Sequence, residues 1–289
     1  MDALQLQSFV MVLELGSLSE AGKKLGVTPA AIAARVRSLE DEVGVPLVMR
    51  SGRFVKPTQA GINILERSRR LLREIRDLRV AASNGDSVGE LRLGVFPSAM
   101  TSLLPPILKK LYDATPALNI LVSSGTSLDL CRAVDSGAID AAIVVEPQYV
   151  IPKRCEWREL AAEPLVLVAP ASLAGGDAHE LLSAEPFIRY DRTLLAGQLA
   201  ERYLREHEIQ PRERLELDAL MAIAALVDQG LGVSLLPDWR PMWRSGLDIV
   251  RIELPARAPV RKVGLIWAAH GPRAQLAEKF YVAAKAGIR

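Results

Sequence analysis

The chain has 289 residues, of which 49% are hydrophobic and 24% are charged. These values are ordinary for globular proteins and exclude a disordered or fibrous chain, and the length favours two domains over one small module. The longest uncharged run, 16 residues between Arg92 and Lys109, is interrupted by prolines, so we expect no membrane span. The N-terminal residues lack a secretory leader, which predicts a cytoplasmic protein. The two cysteines, Cys131 and Cys155, are too few for a disulfide framework or a cysteine-built metal site, so we expect no metal and no cofactor.

Positive charge is concentrated near the N-terminus. Residues 1–87 carry 13 basic and 10 acidic side chains, whereas the remainder carries 23 basic and 24 acidic ones. Residues 21–56 alone hold seven basic and three acidic side chains. A local basic surface is a condition for binding a phosphate backbone.

The first 44 residues have clear signals for three helices. Apolar residues recur at helical spacing between positions 4 and 15 and stop at Gly16, a residue that suits a left-handed helix end. Ser17, followed three residues later by Glu20, predicts a capping box at the start of a second helix. Gly26 ends that helix, and Thr28 with a following proline starts the third.

The third helix has an apolar stripe at Ile32, Val36 and Leu39 and ends at Gly44. Two helices joined by a glycine-containing turn are typical of a helix-turn-helix, whose second helix enters the major groove. Residues 47–56 then predict a small hairpin, or wing, with a turn at positions 51 and 52. The candidate DNA-binding residues are Ser17, Thr28, Pro29, Ala30, Ala31, Ala33, Ala34, Arg35, Arg37, Arg50, Arg53 and Lys56. A helical cap with a solvated basic face is the alternative.

Residues 16–61 resemble the N-terminal winged helix-turn-helix of the LysR-type transcriptional regulators. The resemblance is carried by Leu39-Glu40, Gly44-Val45-Pro46-Leu47, Arg50 and Thr58-Gln59-Ala60-Gly61. It implies sequence-specific DNA binding. Ala33 replaces a usual serine, Ala34 replaces a longer polar residue and Val48 replaces a usual phenylalanine. The two alanines remove hydrogen-bonding groups, so we expect base contacts to shift toward Thr28, Arg35 and the wing.

A single long helix is predicted from Thr58 to about Ser83. Its apolar seam consists of Ile64, Leu71, Ile75 and Leu78, and arginines occupy much of the remaining surface. In the family that the chain resembles, the same helix of a second subunit covers this seam, which implies a homodimer or homotetramer. Two recognition helices related by a twofold axis would read an interrupted palindrome. Packing of the seam against the second domain of the same chain is the alternative.

After a polar break at residues 84–89, apolar strands alternate with helices, which predicts a parallel sheet covered on both faces. The resemblance implies two subdomains of the periplasmic-binding-protein type, joined by crossing strands near 160–168 and 257–266. The predicted organisation is a winged helix-turn-helix over 1–58, a linker helix over 59–86 and an effector-binding domain over 87–289. Within that domain, subdomain I comprises about 87–161 and 267–289, and subdomain II about 162–266.

The effector cleft is predicted at the carboxyl ends of the strands, where helix starts converge. The serines and threonines at these positions also suit simple helix capping. The resemblance to the LysR-type regulators favours an effector-binding role for Ser98 and Thr126. An acid at position 146, where some relatives have a basic residue, favours an effector with an amine over a purely anionic one. The candidate effector-binding residues are Ser98, Ala99, Met100, Thr101, Ser124, Gly125, Thr126, Glu146, Arg189 and Tyr190.

Catalysis is not expected, because the three histidines are scattered and no nucleotide-binding loop or nucleophile motif is present. The sequence therefore predicts a LysR-type regulator that binds double-stranded DNA and a small-molecule effector, with RNA polymerase as a further candidate partner. The alternative is a small-molecule carrier whose N-terminal module only dimerises. The effector, the operator and the choice between activation and repression are not encoded in any motif of the chain.

Overall fold

The computed structural model describes residues 1–52, 54–82, 90–255, 257–270 and 273–288, with the backbone alone at 73, 76, 77 and 79–82. The chain divides into two compact units, an N-terminal one of residues 1–89 with 136–138 and a C-terminal one of residues 90–135 with 139–289. The predicted break at 84–89 lies outside the described residues.

The N-terminal unit is a three-helix core with a hairpin and a long helix. Its elements are α1 (Ala3–Leu15), α2 (Leu18–Leu25), α3 (Pro29–Val43), β1 (Val48–Ser51), β2 (Phe54–Pro57) and α4 (Gln59–Ala82). The ends of the first three helices follow the predicted glycines, since Gly16, Gly26 and Gly44 all have positive φ, between 64° and 82°.

The caps of α2 and α3 agree with the sequence in part. The Thr28 hydroxyl accepts a hydrogen bond from the Ala31 amide at 3.2 Å. The Ser17 hydroxyl accepts one from the Glu20 amide at 3.4 Å. However, the Glu20 carboxylate accepts from Lys23 at 2.8 Å, so the reciprocal bond of the predicted capping box is replaced by an ion pair. The complete capping box lies one helix earlier, between Asp2 and the glutamine at position 5.

The C-terminal unit contains two subdomains that share two long strands. Subdomain I contains β3 (Glu90–Val95), α5 (Pro97–Ser102), α6 (Leu104–Ala114), β4 (Asn119–Ser124), α7 (Ser127–Asp135), β5 (Ala141–Val145) and the last helix, α12 (Ala274–Gly287). The shared strands are β6 (Cys155–Pro170) and β11 (Val260–Ala268). Subdomain II contains α8 (Ala178–Ala184), β7 (Pro186–Tyr190), α9 (Leu195–Glu206), β8 (Arg212–Leu217), α10 (Leu220–Asp228), β9 (Ser234–Pro237), α11 (Arg240–Trp243) and β10 (Ile249–Ile252).

The two shared strands explain how one chain builds two cores. Residues 155–164 of β6 pair with β11 in subdomain I, whereas residues 165–170 pair with β9 and β10 in subdomain II. The sheet of subdomain I runs β6-β11-β5-β3-β4, with β3 parallel to both β4 and β5. In subdomain II, β7 is parallel to β8, and a single bridge joins Phe187 of β7 to Val233 beside β9. Crossing strands were predicted at nearly these positions.

Two helices follow β3 in succession. Because proline needs no amide partner in a first helical turn, Pro97 starts α5 directly after β3, and Pro105 and Pro106 start α6. The candidate effector residues at 98–101 therefore lie on a short helix.

Candidate DNA-binding face and effector cleft

The third helix presents opposite faces to the core and to solvent. Ile32, Val36 and Leu39 are at most 2% exposed. The predicted DNA-facing residues lie on the remaining surface: Thr28, Pro29, Ala30, Ala34 and Arg37 are exposed, and Ala31, Ala33 and Arg35 are half-buried. A helix with small and cationic groups outward, anchored by an apolar stripe, fits a groove about 12 Å wide.

Hydrogen bonds attach the wing to the helical core of the N-terminal unit. One carboxylate oxygen of Glu40, near the end of α3, accepts from the amides of Leu47 at 2.7 Å and Val48 at 3.0 Å. The amide of Val55 donates to the carbonyl of Gly16 at 2.8 Å. These bonds fix the hairpin relative to both helices of the helix-turn-helix, so its side chains and those of α3 share one rigid frame.

Several cations of this unit are free to bind phosphate. Arg35, Arg37, Arg50 and Lys56 have no ion-pair partner within the part of the chain that the structure describes. Arg50 and Lys56 are both exposed on the hairpin, and Arg53 lies outside the described residues. Unpaired arginines and lysines give up no internal interaction when they contact a phosphate backbone.

The predicted seam of α4 is divided between two environments. Ile64 packs against the core of the N-terminal unit, and Ile75 is half-buried. Leu71 and Leu78, by contrast, are 44% and 68% exposed. The first part of this helix therefore packs against the core of the N-terminal unit, and its later leucines remain exposed.

The C-terminal unit contains a cavity of about 590 Å³ between its two subdomains. Five of the predicted residues line it, namely Ser98, Thr101, Gly125, Thr126 and Tyr190. Most other lining residues are apolar, and they include Phe96, Val145, Leu128, Leu194, Leu195, Leu220 and Met221. The volume and the apolar lining suit a small organic molecule.

The other five predicted effector residues lie outside this lining. Ala99 and Met100 belong to the core of subdomain I, because on a helix they face away from Ser98. Ser124 is exposed at the end of β4. Glu146 lies 3.9 Å from Lys262, so it offers no support for an amine-bearing effector.

Arg189 is buried on the other face of β7 from Tyr190, since successive strand residues point to opposite sides. Its guanidinium pairs with Glu201 and Glu213. The hydrogen bond to Arg189 is the first cause of the lowered pKa of Glu213. This position gives Arg189 a role in holding subdomain II together.

Two cleft residues that the sequence reading missed converge on Ser98. Trp239, from subdomain II, donates its indole N–H to the carbonyl oxygen of Ser98 at 3.1 Å. A guanidinium nitrogen of Arg261 lies 3.5 Å from the Ser98 hydroxyl. Arg261 gave no distinctive signal in the sequence, because the charged Lys262 follows it directly in the same strand.

Arg261 forms a buried ion pair with Glu163. Its Nε donates to Glu163 Oε2 at 2.6 Å, and the side chains are 2% and 11% exposed. Burial raises the pKa of Glu163, and the nearby guanidinium opposes that effect. Burial also raises the pKa of the neighbouring Tyr190 phenol. The cleft thus contains one buried cation whose charge is already balanced.

The hydroxyl of Thr126 combines capping with a position in the lining. It accepts from the amide of Asp129 at 3.2 Å and donates to that residue's carboxylate at 2.8 Å. The Ser127 hydroxyl accepts from the amide of Val145 at 3.1 Å. These hydrogen bonds fix the start of α7.

Elsewhere in the described residues there is no metal-ligating cluster and no reactive thiol. Within the described ranges, no three His, Cys, Asp or Glu side chains cluster as metal ligands. Both cysteines are free, and burial raises the pKa of Cys155 to about 11, which disfavours the reactive thiolate. No described helix is both long and apolar enough to cross a membrane.

A winged helix-turn-helix together with a ligand-sized cleft in a two-subdomain α/β unit defines a DNA-binding regulator that carries its own ligand-binding domain. Two family models match the chain: the bacterial regulatory helix-turn-helix protein, lysR family, over residues 4–62, and the LysR substrate binding domain over residues 84–288. The chain belongs to the LysR family of transcriptional regulators.

Curated relatives agree with this assignment. The chain is 30% identical to the HTH-type transcriptional regulator ClcR of Pseudomonas putida, covering 82% of this chain and 83% of the relative. It is 28% identical to IlvR of Caulobacter vibrioides over 92% of both chains. Because these relatives are regulators and not enzymes, they confirm the expectation that the chain has no catalytic function, and the comparisons give no support to the carrier alternative.

Solved structures share the fold. Full-length OxyR from Pseudomonas aeruginosa matches with a TM-score of 0.75 at 22% identity, over 99% of this chain and 95% of that one. Full-length CbnR complexed with its target DNA matches with a TM-score of 0.70 at 23% identity, over 99% and 100% of the chains. The predicted fold class, a winged helix-turn-helix followed by a two-subdomain effector domain, is confirmed.

Proposed function

We propose that this regulator binds an interrupted palindrome through α3 and the wing as a homodimer or a dimer of dimers. The observation that supports the proposal most directly is the outward face of α3, with its small side chains and unpaired arginines opposite a fully buried stripe. Phosphate contacts from Arg50, Arg53 and Lys56 would supply affinity, and groups on α3 would supply sequence preference. Such a protein acts where the DNA is, in the cytoplasm.

The proposed division of labour is 1–58 for DNA binding, 59–86 for dimerisation and 87–289 for effector binding. Leu71 and Leu78 support a contact with a second subunit because both remain exposed in the single chain. Two uncovered leucines seven residues apart lie on one side of a helix, which suits pairing with the same helix of another copy.

We further propose that a small organic effector occupies the cavity between the subdomains, with Ser98 and Thr126 among its contacts. Occupancy would change the relative populations of open and closed subdomain arrangements, and so the geometry with which dimers hold DNA. The apolar lining around a charge-balanced Arg261 favours an effector with a largely apolar body and few polar groups.

The test uses an operator selected from random DNA and a small-molecule collection screened for ligands that change its binding. The double variant Ser98→Ala, Thr126→Ala, which removes both hydroxyls, should respond to the active ligand at least tenfold more weakly. Ser124→Ala removes a nearby hydroxyl outside the lining and should respond like the unaltered protein. An unchanged response of the double variant would show that the effector is bound elsewhere.

A further inference from the structure

A second cavity, of about 710 Å³, lies beside the crossing strand of the C-terminal unit. Subdomain I contributes Thr101 and Ser102 from α5, and subdomain II contributes Asp238, Arg240 and Arg244 around α11. Glu163 of β6 also lines it. The second cavity is therefore bounded by both subdomains, as the effector cleft is, but mostly by different residues.

The charged groups around this cavity are unequally compensated. Glu163 is paired with Arg261. Asp238 is paired with Arg251 at 3.0 Å and accepts from the Trp243 indole at 2.7 Å. Arg240 and Arg244, in contrast, have no ion-pair partner or side-chain hydrogen bond among the described residues. Two positive charges thus remain available at the cavity.

The hydroxyl groups that line the second cavity also favour one kind of ligand over others. Thr101 and Ser102 both donate to the Ser98 carbonyl oxygen, at 3.2 Å and 2.9 Å. Their protons are therefore engaged, and toward a ligand these hydroxyls act as acceptors. The rest of the lining is alanine, proline, leucine, isoleucine and glycine, which accommodates a short carbon skeleton.

We propose that the second cavity binds a small organic dianion of the dicarboxylate type. A guanidinium presents paired N–H donors that match a carboxylate, and two unpaired guanidiniums match two carboxylates. A hydroxyl on the dianion would donate to the Thr101 and Ser102 oxygens. The two cavities meet at the ion pair, because Glu163 lines one and its partner Arg261 lines the other.

The Glu163–Arg261 ion pair also couples the second cavity to the effector cleft. Glu163 and Arg261 are directly paired across β6 and β11. A dianion beside Glu163 adds negative charge near a buried carboxylate, and the position of Arg261 beside Ser98 responds to that change. The inference concerns a separate cavity and does not depend on the effector assigned to the first one.

The experiment is calorimetric titration of the full-length protein with succinate and with malate, with uncharged succinamide as a control. We expect both dianions to bind at millimolar concentration, malate more tightly, and succinamide not to bind. Changing Arg240→Gln and Arg244→Gln together should weaken dianion binding about tenfold, from the loss of two exposed charge contacts. The matched control is Arg202→Gln with Arg205→Gln, which removes two exposed arginines from α9.

A further variant, Met221→Trp, fills the effector cleft and should still bind the dianion, although coupling through the ion pair can change the affinity, which distinguishes the two cavities. The inference is overturned if neither dianion binds the unaltered protein. It is also overturned if the Arg240 and Arg244 double variant binds as tightly as its control, or if Met221→Trp abolishes binding.

Discussion

The indole nitrogen of Trp239 donates to the carbonyl oxygen of Ser98 at 3.1 Å, although 141 residues separate them in the chain. Trp239 belongs to subdomain II and Ser98 to subdomain I, so the bond crosses the effector cleft. Both partners of this hydrogen bond are held by the surrounding structure, since Trp239 is only 3% exposed and Ser98 lies in the first turn of α5.

Replacing Trp239 tests whether its hydrogen bond to Ser98 holds the two subdomains together. Trp239→Phe retains an aromatic ring and removes the donor, so we expect the free energy of unfolding of the C-terminal unit to fall by about 1–2 kcal/mol. Trp243→Phe removes an indole donor that bonds only within subdomain II and serves as the control. The stabilisation that the effector induces should change in Trp239→Phe and not in Trp243→Phe. An equal change in both variants would argue against a hydrogen bond that holds the subdomains together.

Arg261→Met should be strongly destabilising, because it leaves Glu163 buried without its partner. Breaking a buried pair in this way costs about 3–5 kcal/mol. Adding Glu163→Gln to Arg261→Met removes the uncompensated charge and should restore part of the loss. Thermal and urea unfolding of the three proteins measure the effect, and a double variant no more stable than Arg261→Met would contradict the account.

The same pair predicts a pH dependence. The pKa of Glu163 is raised above its ordinary 4.5 in the folded protein, so the folded state binds a proton more tightly than the unfolded state. Stability from this group is therefore present below about pH 4.5 and declines as pH rises toward the folded pKa. Loss of Arg261 raises that pKa further, so the destabilisation by Arg261→Met should grow as pH rises above about 4.5. A destabilisation that stays constant as pH rises would exclude an ionised Glu163.

DNA recognition should separate into two kinds of contact. Arg35→Ala on α3 should weaken binding to the selected operator by about 1–3 kcal/mol and relax its sequence preference. Lys56→Ala on the wing should weaken binding to all sequences similarly and lower the slope of log affinity against log salt by about one. Arg202→Ala, in the C-terminal unit, is the control. Identical effects of the first two variants would mean that α3 makes no base contact.

Dimerisation through α4 should depend on its exposed leucines. Leu71→Glu with Leu78→Glu should give a folded monomer, because neither side chain is buried in the single chain. Ile64→Glu should instead destabilise the N-terminal unit, since Ile64 packs against its core. Analytical ultracentrifugation and circular dichroism distinguish these results, and a dimer that persists in the double variant would place the interface elsewhere.

Local sequence signals predicted the N-terminal unit well. The glycines and the threonine-proline pair mark helix ends through backbone conformation and capping, which depend on near neighbours. Local signals failed at α5, where Ala99 and Met100 were candidate effector residues although the helix turns both toward the core of subdomain I. They also failed for the carboxylate of Glu20, because Lys23 is a competing partner one turn further along the helix.

The cleft was less predictable because its key contacts join distant segments. Ser98 and Arg261 are 163 residues apart in the chain, and no periodic pattern relates them. Arg189 was assigned to the cleft from its place at a strand end, but the alternation of β7 sends it to the opposite face from Tyr190. The rule that ligands lie beyond strand ends still selected Ser98 and Thr126, which line the cavity, and applied after β8 it would also have selected Asp218.

The central claim, sequence-specific DNA recognition, is tested most directly by selection from a random DNA pool with the purified full-length protein, followed by sequencing and titration at two salt concentrations. The account predicts enrichment of an interrupted palindrome with half-sites about one helical turn, or a multiple of it, apart. It also predicts that Arg35→Ala reduces the enrichment. Recovery of unrelated sequences, with weak and strongly salt-dependent binding alone, would contradict it.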